Sequence, residues 1–212
     1  MQLHHAKHHQ AYVDALNAAV KDHPELHALT LEALLADLEA VPEAIRAAVR
    51  NHGGGHANHA FFWSILTPKR GGSPLDELAR AIEGAFGDVE AFRAAFKAAA
   101  LKQFGSGWSF LVVDGATGTL EILSLPNQDT EHGLGKARVL CCDLWEHAYY
   151  LNTRTGKPSG WTRSGTWWHG TRWRGASRWL SGDAASGPSA EARRFTISSA
   201  AGGTANAPRS PG

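Results

Sequence analysis

Gly53-Gly54-Gly55 stands inside a helical pattern, and no other stretch constrains the fold of this 212-residue chain as tightly. Pro42 opens the pattern, at a first turn where proline is tolerated. Ile45, Val49, His52, His56, His59 and Trp63 then follow at three- and four-residue steps, which is the period of one helix face. Three glycines in such a helix cost about 2–3 kcal/mol relative to alanine. A sequence that keeps them there predicts that another part of the chain approaches this backbone closely.

The other elements are arranged around that helix. Leu3, Tyr12, Val13, Leu16 and Val20 predict a helix over residues 2–20, broken at Asp22 to Pro24. Leu31 to Leu38 is a second, shorter helical stretch. Thr67 to Pro74 reads as a linker. Helices follow at Leu75 to Glu83 and at Val89 to Leu101, the latter with Asp88 as N-cap. After the Phe104-Gly105-Ser106-Gly107 turn the period changes. Trp108 to Val113 alternates and is β-rich, Asp114 to Gly118 is a hairpin signal, and Thr119 to Leu125 returns. Val139 to Cys142 predicts a third strand running into Asp143. The expected class is α+β. A helical hairpin domain at 1–66 precedes an α/β domain at 67–158, which holds a small three-stranded antiparallel sheet. From 159 to 212 the composition changes, with five of the eight tryptophans among arginines and then Ala, Ser, Gly and Pro; an irregular, disordered tail is expected.

Composition narrows the function. Lys plus Arg total 21 against 20 for Asp plus Glu, which gives no charge basis for a nucleic-acid partner. No run of roughly 18 apolar residues is present to span a membrane. The start lacks the layout of a secretory signal. The adjacent Cys141 and Cys142 suit small apolar packing in a reducing compartment. The cytoplasm is the expected location, although a leader lost from the N-terminus would leave no trace.

Histidines carry the chemistry. His4 and His8 are four apart, as are His5 and His9, and so are Asp143 and His147. That spacing alone fits a solvated or hydrogen-bonded pair as well as a metal site. Of His52, His56 and His59, at most one needs to ligate. His23, His27, His132 and His169 have no supporting pattern and read as surface residues.

The contexts of these residues resemble the iron/manganese superoxide dismutase family. The likeness spans residues 1 to about 158. It rests on His4 to Tyr12 with Leu16-Asn17, on Gly53 to Trp63, on Phe104 to Trp108, on Asn127-Gln128-Asp129, and on Asp143 to Tyr150. The resemblance implies His4, His59, Asp143 and His147 as ligands of one manganese or iron ion per subunit. It implies Tyr12 and His8 as gates to solvent and substrate, and Gln128 as the partner of the metal-bound solvent. Trp63, Trp108 and Trp145 would wall the pocket. Glu146 would reach the partner subunit's ligand histidine and Tyr150 the partner's gate, which implies a homodimer or tetramer. Gly54-Gly55-His56 together with Gln128 favours manganese. The implied reaction turns superoxide into dioxygen and hydrogen peroxide. A one-electron cycle of this kind is closed to zinc.

Two departures from the family are expected. The usual arm before the first ligand helix is absent. After Leu151 the familiar ending gives way to Lys157 to Trp168. Codons chosen for Thr162 to Trp168 can be read in another frame as Ala-Phe-Trp-Asn-Val-Val, so a frame change near Ser159 is expected in the gene. Interleaved Arg and Trp would also suit single-stranded nucleic acid. Two other functions compete with dismutation. One is an inactive metal-binding remnant of the family. The other is a zinc hydrolase, for which no HExxH motif is present.

Overall fold

The computed structural model describes residues 3–66, 74 and 76–148. The expectations for the 67–73 linker, for Tyr150 and for the 159–212 tail lie outside the described residues.

The first predicted helix is two elements in one rod. A π-helical turn, His4–His9, runs into α1, Gln10–Val20. α2, Leu31–Ala36, is capped by Thr30, whose hydroxyl accepts from the Ala33 amide at 3.2 Å. The long glycine-bearing helix is also composite. α3, Glu43–Ala48, continues through a π-helical turn, Val49–Gly53, into α4, Gly54–Ile65. Pro42 is its N-cap rather than its first helical residue. Leu16, Val20, Leu26, Leu34, Val41 and Val49 bury together and hold this hairpin, each contributing about 1.5–3 kcal/mol of transfer free energy.

The glycines are explained by two approaches. A Cβ on Gly54 would overlap the backbone oxygen of Gln128, and one on Gly55 would lie 2.5 Å from the Tyr12 ring. Gly53 faces Leu35, 3.2 Å from where a Cβ would sit. The predicted close approach is therefore met from both sides.

α5, Asp76–Phe86, runs one turn past the predicted Glu83, because Ala85 and Phe86 extend its pattern before Gly87 turns at φ 93°. In α6, Val89–Lys102, Asp88 caps as expected, accepting from the Ala91 amide at 2.7 Å. β1, Gly107–Asp114, is the centre of an antiparallel sheet in the order β2-β1-β3, with β2 at Leu120–Pro126 and β3 at Lys136–Asp143. β3 is longer than the apolar run Val139 to Cys142, since Lys136, Ala137 and Arg138 also pair with β1. β1 is buried along nearly its whole length. β1 and β2 pack on α6, and β3 packs on α4. The sheet register sets Asp143, at the end of β3, opposite Trp108 at the start of β1.

Candidate metal centre

Four side chains from three distant segments aim donor atoms at one point. His4 arrives on the first π-helical turn, His59 on α4, Asp143 on the last residue of β3, and His147 one turn later. His4 Nε2 lies 3.0 Å from His59 Nε2, 3.0 Å from His147 Nε2 and 3.5 Å from Asp143 Oδ2. Asp143 Oδ2 is 3.1 Å from His147 Nε2 and 4.0 Å from His59 Nε2.

Hydrogen bonding alone cannot satisfy this arrangement. His59 Nδ1 sits 2.7 Å from the Gly55 oxygen and must donate to it. Its Nε2 therefore presents a lone pair. Burial, reinforced by neighbouring histidines, lowers both His4 and His59 to a pKa of about 3, so both rings are neutral near pH 7. His4 Nε2 can carry one proton, yet several acceptors face it. The Asp143 side chain is only 1% exposed, and burial pushes its carboxyl up while His147 pulls it back. A buried carboxylate among neutral imidazoles calls for a cation. Donors about 2.1 Å from a common ion are separated by roughly 3–4 Å, and these separations match. The donor set of three imidazoles and a carboxylate fits iron or manganese as well as zinc.

His8 stands beside the four donors. Its ring centroid is 4.1 Å from that of His147, and one donor atom each from His4, His8, His59 and His147 fall within 4.8 Å of one another. His8 Nε2 is buried with no hydrogen-bond partner among the described residues. Asp143 is the better fourth donor on physical grounds, because it brings charge. The Trp145 amide donates to its Oδ1 at 2.9 Å, leaving Oδ2 aimed inward.

Beside this cluster a polar network fixes Gln128. Its Nε2 donates to the Tyr12 hydroxyl at 2.9 Å, and its Oε1 accepts from Trp108 Nε1 at 3.0 Å. Gln128 is thus a buried hub and not a simple turn residue. Trp63 Nε1 donates to His9 Nδ1 at 3.1 Å, which leaves His9 Nε2 to donate to His56 Nδ1 at 2.7 Å. Trp145 Nε1 donates to the Asn127 oxygen at 3.1 Å. Asn127 holds φ 51°, a left-handed conformation that asparagine tolerates. Burial raises the Tyr12 phenol above its usual range, and the hydrogen bond from Gln128 counters this.

Most of the expected site residues converge; Glu146 does not. It is exposed beside His147. His132, read as a surface residue, is instead largely covered, and its Nε2 lies 3.2 Å from Arg138 Nη2. Sequence reading missed Asn58, which is fully buried with Nδ2 at 3.3 Å from the Gln128 oxygen. A polar residue next to His59 on a buried helix was its only signal. It also missed the His9–His56 pair, because spacing within one helix says nothing about a partner on another.

Comparison with known proteins gives two domain matches. Residues 1–67 match the iron/manganese superoxide dismutases, alpha-hairpin domain, and residues 74–178 match the iron/manganese superoxide dismutases, C-terminal domain. The second match passes the limit near 158 read from the sequence and takes in Trp161 to Trp173. A Listeria innocua protein named superoxide dismutase (Mn) is 51% identical over 178 residues, covering 84% of this chain and 86% of its own length. Its Listeria monocytogenes counterpart of the same name is 49% identical over 178 residues, with the same coverage. That of Listeria ivanovii is 50% identical over 173 residues, covering 82% of this chain and 83% of its own. The two matched domains meet across the donor cluster, and the chain belongs to the iron/manganese superoxide dismutases.

Proposed function

We propose that this chain is a superoxide dismutase whose ion, manganese by preference or iron, is held by His4, His59, Asp143 and His147. The carrying observation is the convergence of those donors within 3.0–4.0 Å from segments remote in sequence. The reaction converts two superoxide anions and two protons into dioxygen and hydrogen peroxide. A bound manganese or iron ion supplies the one-electron cycling that this requires.

The chain's own residues supply shape, charge and protons. His4 and His59 stay neutral, so Asp143 is the only anionic donor of the set. The site then keeps a net positive character with a divalent or trivalent ion, which favours a small anion. Trp63 and Trp108 wall the pocket, with ring centroids 6.2 and 5.1 Å from that of His59, and Trp145 stands 6.1 Å from His147. Tyr12 keeps its phenolic proton at neutral pH, and because its oxygen accepts from Gln128 Nε2 that proton is left available to the site. His8, with its unpaired Nε2, lies 5.1 Å from the Tyr12 ring and completes the entrance. In this reading Tyr12, His8 and Gln128 admit substrate and deliver protons.

Manganese is supported by the names of the relatives and by Gly55, which leaves room for Tyr12 rather than a side chain of its own. A homodimer or tetramer is supported by exposed Glu146 next to His147 and by Phe104, 98% exposed before β1. A cytoplasmic location is supported by the adjacent Cys141 and Cys142, which pack as small apolar residues in the core. No helix among the described residues is long and apolar enough to cross a membrane.

Metal analysis and superoxide decay on one purified sample test the reading. The parent protein should carry about one manganese or iron per chain and consume superoxide rapidly. The Asp143→Ala/His147→Ala variant should lose both. Undiminished metal in that variant would overturn the ligand assignment.

A further inference from the structure

Arg138 lies outside the donor cluster, yet it touches most of the segments that carry the donors. It is buried at 8% exposure, and Glu131 beside it at 1%. Arg138 Nη2 donates to Glu131 Oε2 at 2.8 Å, and its Nε donates to Glu131 Oε1, a two-pronged pair. The remaining arm, Nη1, donates to the backbone oxygen of Ala57 at 3.1 Å. Its guanidinium carbon also lies 5.4 Å from the ring centroids of Phe61 and of Phe110.

A break in the sheet aims this side chain. The β1–β3 register runs Trp108↔Asp143, Phe110↔Cys141 and Leu111↔Leu140, then jumps to Val112↔Arg138. Val139 is the extra residue of a β-bulge. Side chains on a strand alternate in direction, so without the bulge Arg138 would share a face with Leu140 and Cys142. With it, Arg138 joins Cys141 and Asp143 on the face that carries Trp108 and Phe110.

We propose that Arg138 and Glu131 form a positioning clamp that fixes His59 and Gln128 relative to Asp143. The inference rests on the metal-site reading under Proposed function. One arm holds α4 at Ala57, two residues before His59. The other holds the loop at Glu131, three residues after Gln128. The strand carrying Arg138 ends at Asp143. One guanidinium therefore ties three site-bearing segments with directed bonds, where apolar packing alone would permit sliding. Neither residue touches the donor cluster, so both act through others.

Two variants separate positioning from stability. Replacing a buried ion pair by apolar groups of similar size is often neutral for stability. Arg138→Met/Glu131→Leu should therefore unfold within about 3 °C of the parent. Arg138→Lys keeps the charge next to Glu131 but, lacking the planar fork, drops the bond to Ala57. In both variants the metal-free protein should exchange its α4 amides at least tenfold faster. When loaded with manganese, both should release it to a chelator at least tenfold faster, with a shifted visible absorption band. Parent-like amide exchange and parent-like release in Arg138→Lys would overturn the clamp, as would parent-like values in a folded double variant. If the double variant fails to fold, Arg138→Lys decides. A parent that binds neither manganese nor iron sinks the functional reading instead, and amide exchange still judges the clamp.

Discussion

The ring of Tyr12 fills the space that a side chain on Gly55 would need, at 2.5 Å from a Cβ built there. One residue earlier, the Gln128 carbonyl fills the same kind of space over Gly54. The first helix and the loop after β2 are thus pressed onto α4 from two directions, and both bring site residues with them. The consequence is a graded response to alanine. Tyr12 is a side chain and can turn away, whereas the Gln128 oxygen is backbone.

Gly54→Ala should therefore destabilise by about 3 kcal/mol or more, as overpacking against backbone does, and Gly55→Ala by less. Gly84 in α5 has nothing within 4 Å of a built Cβ. Gly84→Ala should stabilise by about 0.5–1 kcal/mol through helix propensity alone. Urea unfolding of the three variants gives the ranking. A Gly54→Ala protein as stable as the parent would mean that the helix and loop do not meet at this glycine.

Gln128 is bonded on both ends of its amide, so its removal should be felt twice. Gln128→Leu leaves the Trp108 N–H and the Tyr12 hydroxyl without their partner in a buried place. Orphaned buried groups cost about 1–3 kcal/mol each. We expect a loss of about 2 kcal/mol or more in unfolding free energy. Dismutation per bound metal should fall at least tenfold, because the group that orders Tyr12 is gone. Stopped-flow superoxide decay, normalised to measured metal, checks this; parent-like turnover would remove Gln128 from the proton path.

The histidine cluster makes the metal-free protein acid-sensitive. Burial holds His4 and His59 at a pKa of about 3 and His9 at about 4, against 6.5 in the unfolded chain. The unfolded chain therefore takes up protons below pH 6.5 that the folded one refuses. Stability is complete above that pH and is lost as pH falls toward 4. Urea midpoints of metal-free protein should decline steadily between pH 7 and pH 5. A flat or rising midpoint across this window would contradict the burial of these rings.

Much of the fold was legible because its signals are local. Asp88 announces its helix by capping chemistry, and Asp114 to Gly118 announces its hairpin. The glycine run announced a close approach but not the approaching groups, since Tyr12 and Gln128 are set by tertiary packing. The π-helical turns at His4–His9 and Val49–Gly53 left no mark, because one extra residue in a turn barely changes a four-residue period. Arg138 was invisible for a related reason. Its facing depends on a bulge at Val139, and the bulge appears only when β3 is laid against β1. The four proposed ligands entered through resemblance, since HxxxH spacing alone does not distinguish a metal site from a solvated pair.

Tyr12 offers the sharpest test of proton delivery. Its hydroxyl accepts from Gln128 and carries the one phenolic proton within reach of the donor cluster among the described residues. Burial raises its pKa above 10, so the proton is present throughout the neutral range. As pH climbs through the raised value the phenolate forms, which cannot donate and which repels an anionic substrate. Parent activity should therefore fall on the alkaline side. Tyr12→Phe should keep its metal and its fold, since only the hydroxyl is lost, yet turn over more slowly at pH 7 and show no such alkaline fall. Rate against pH for both proteins, at equal metal content, decides the matter: an alkaline limb that survives unchanged in Tyr12→Phe would assign the proton to another group.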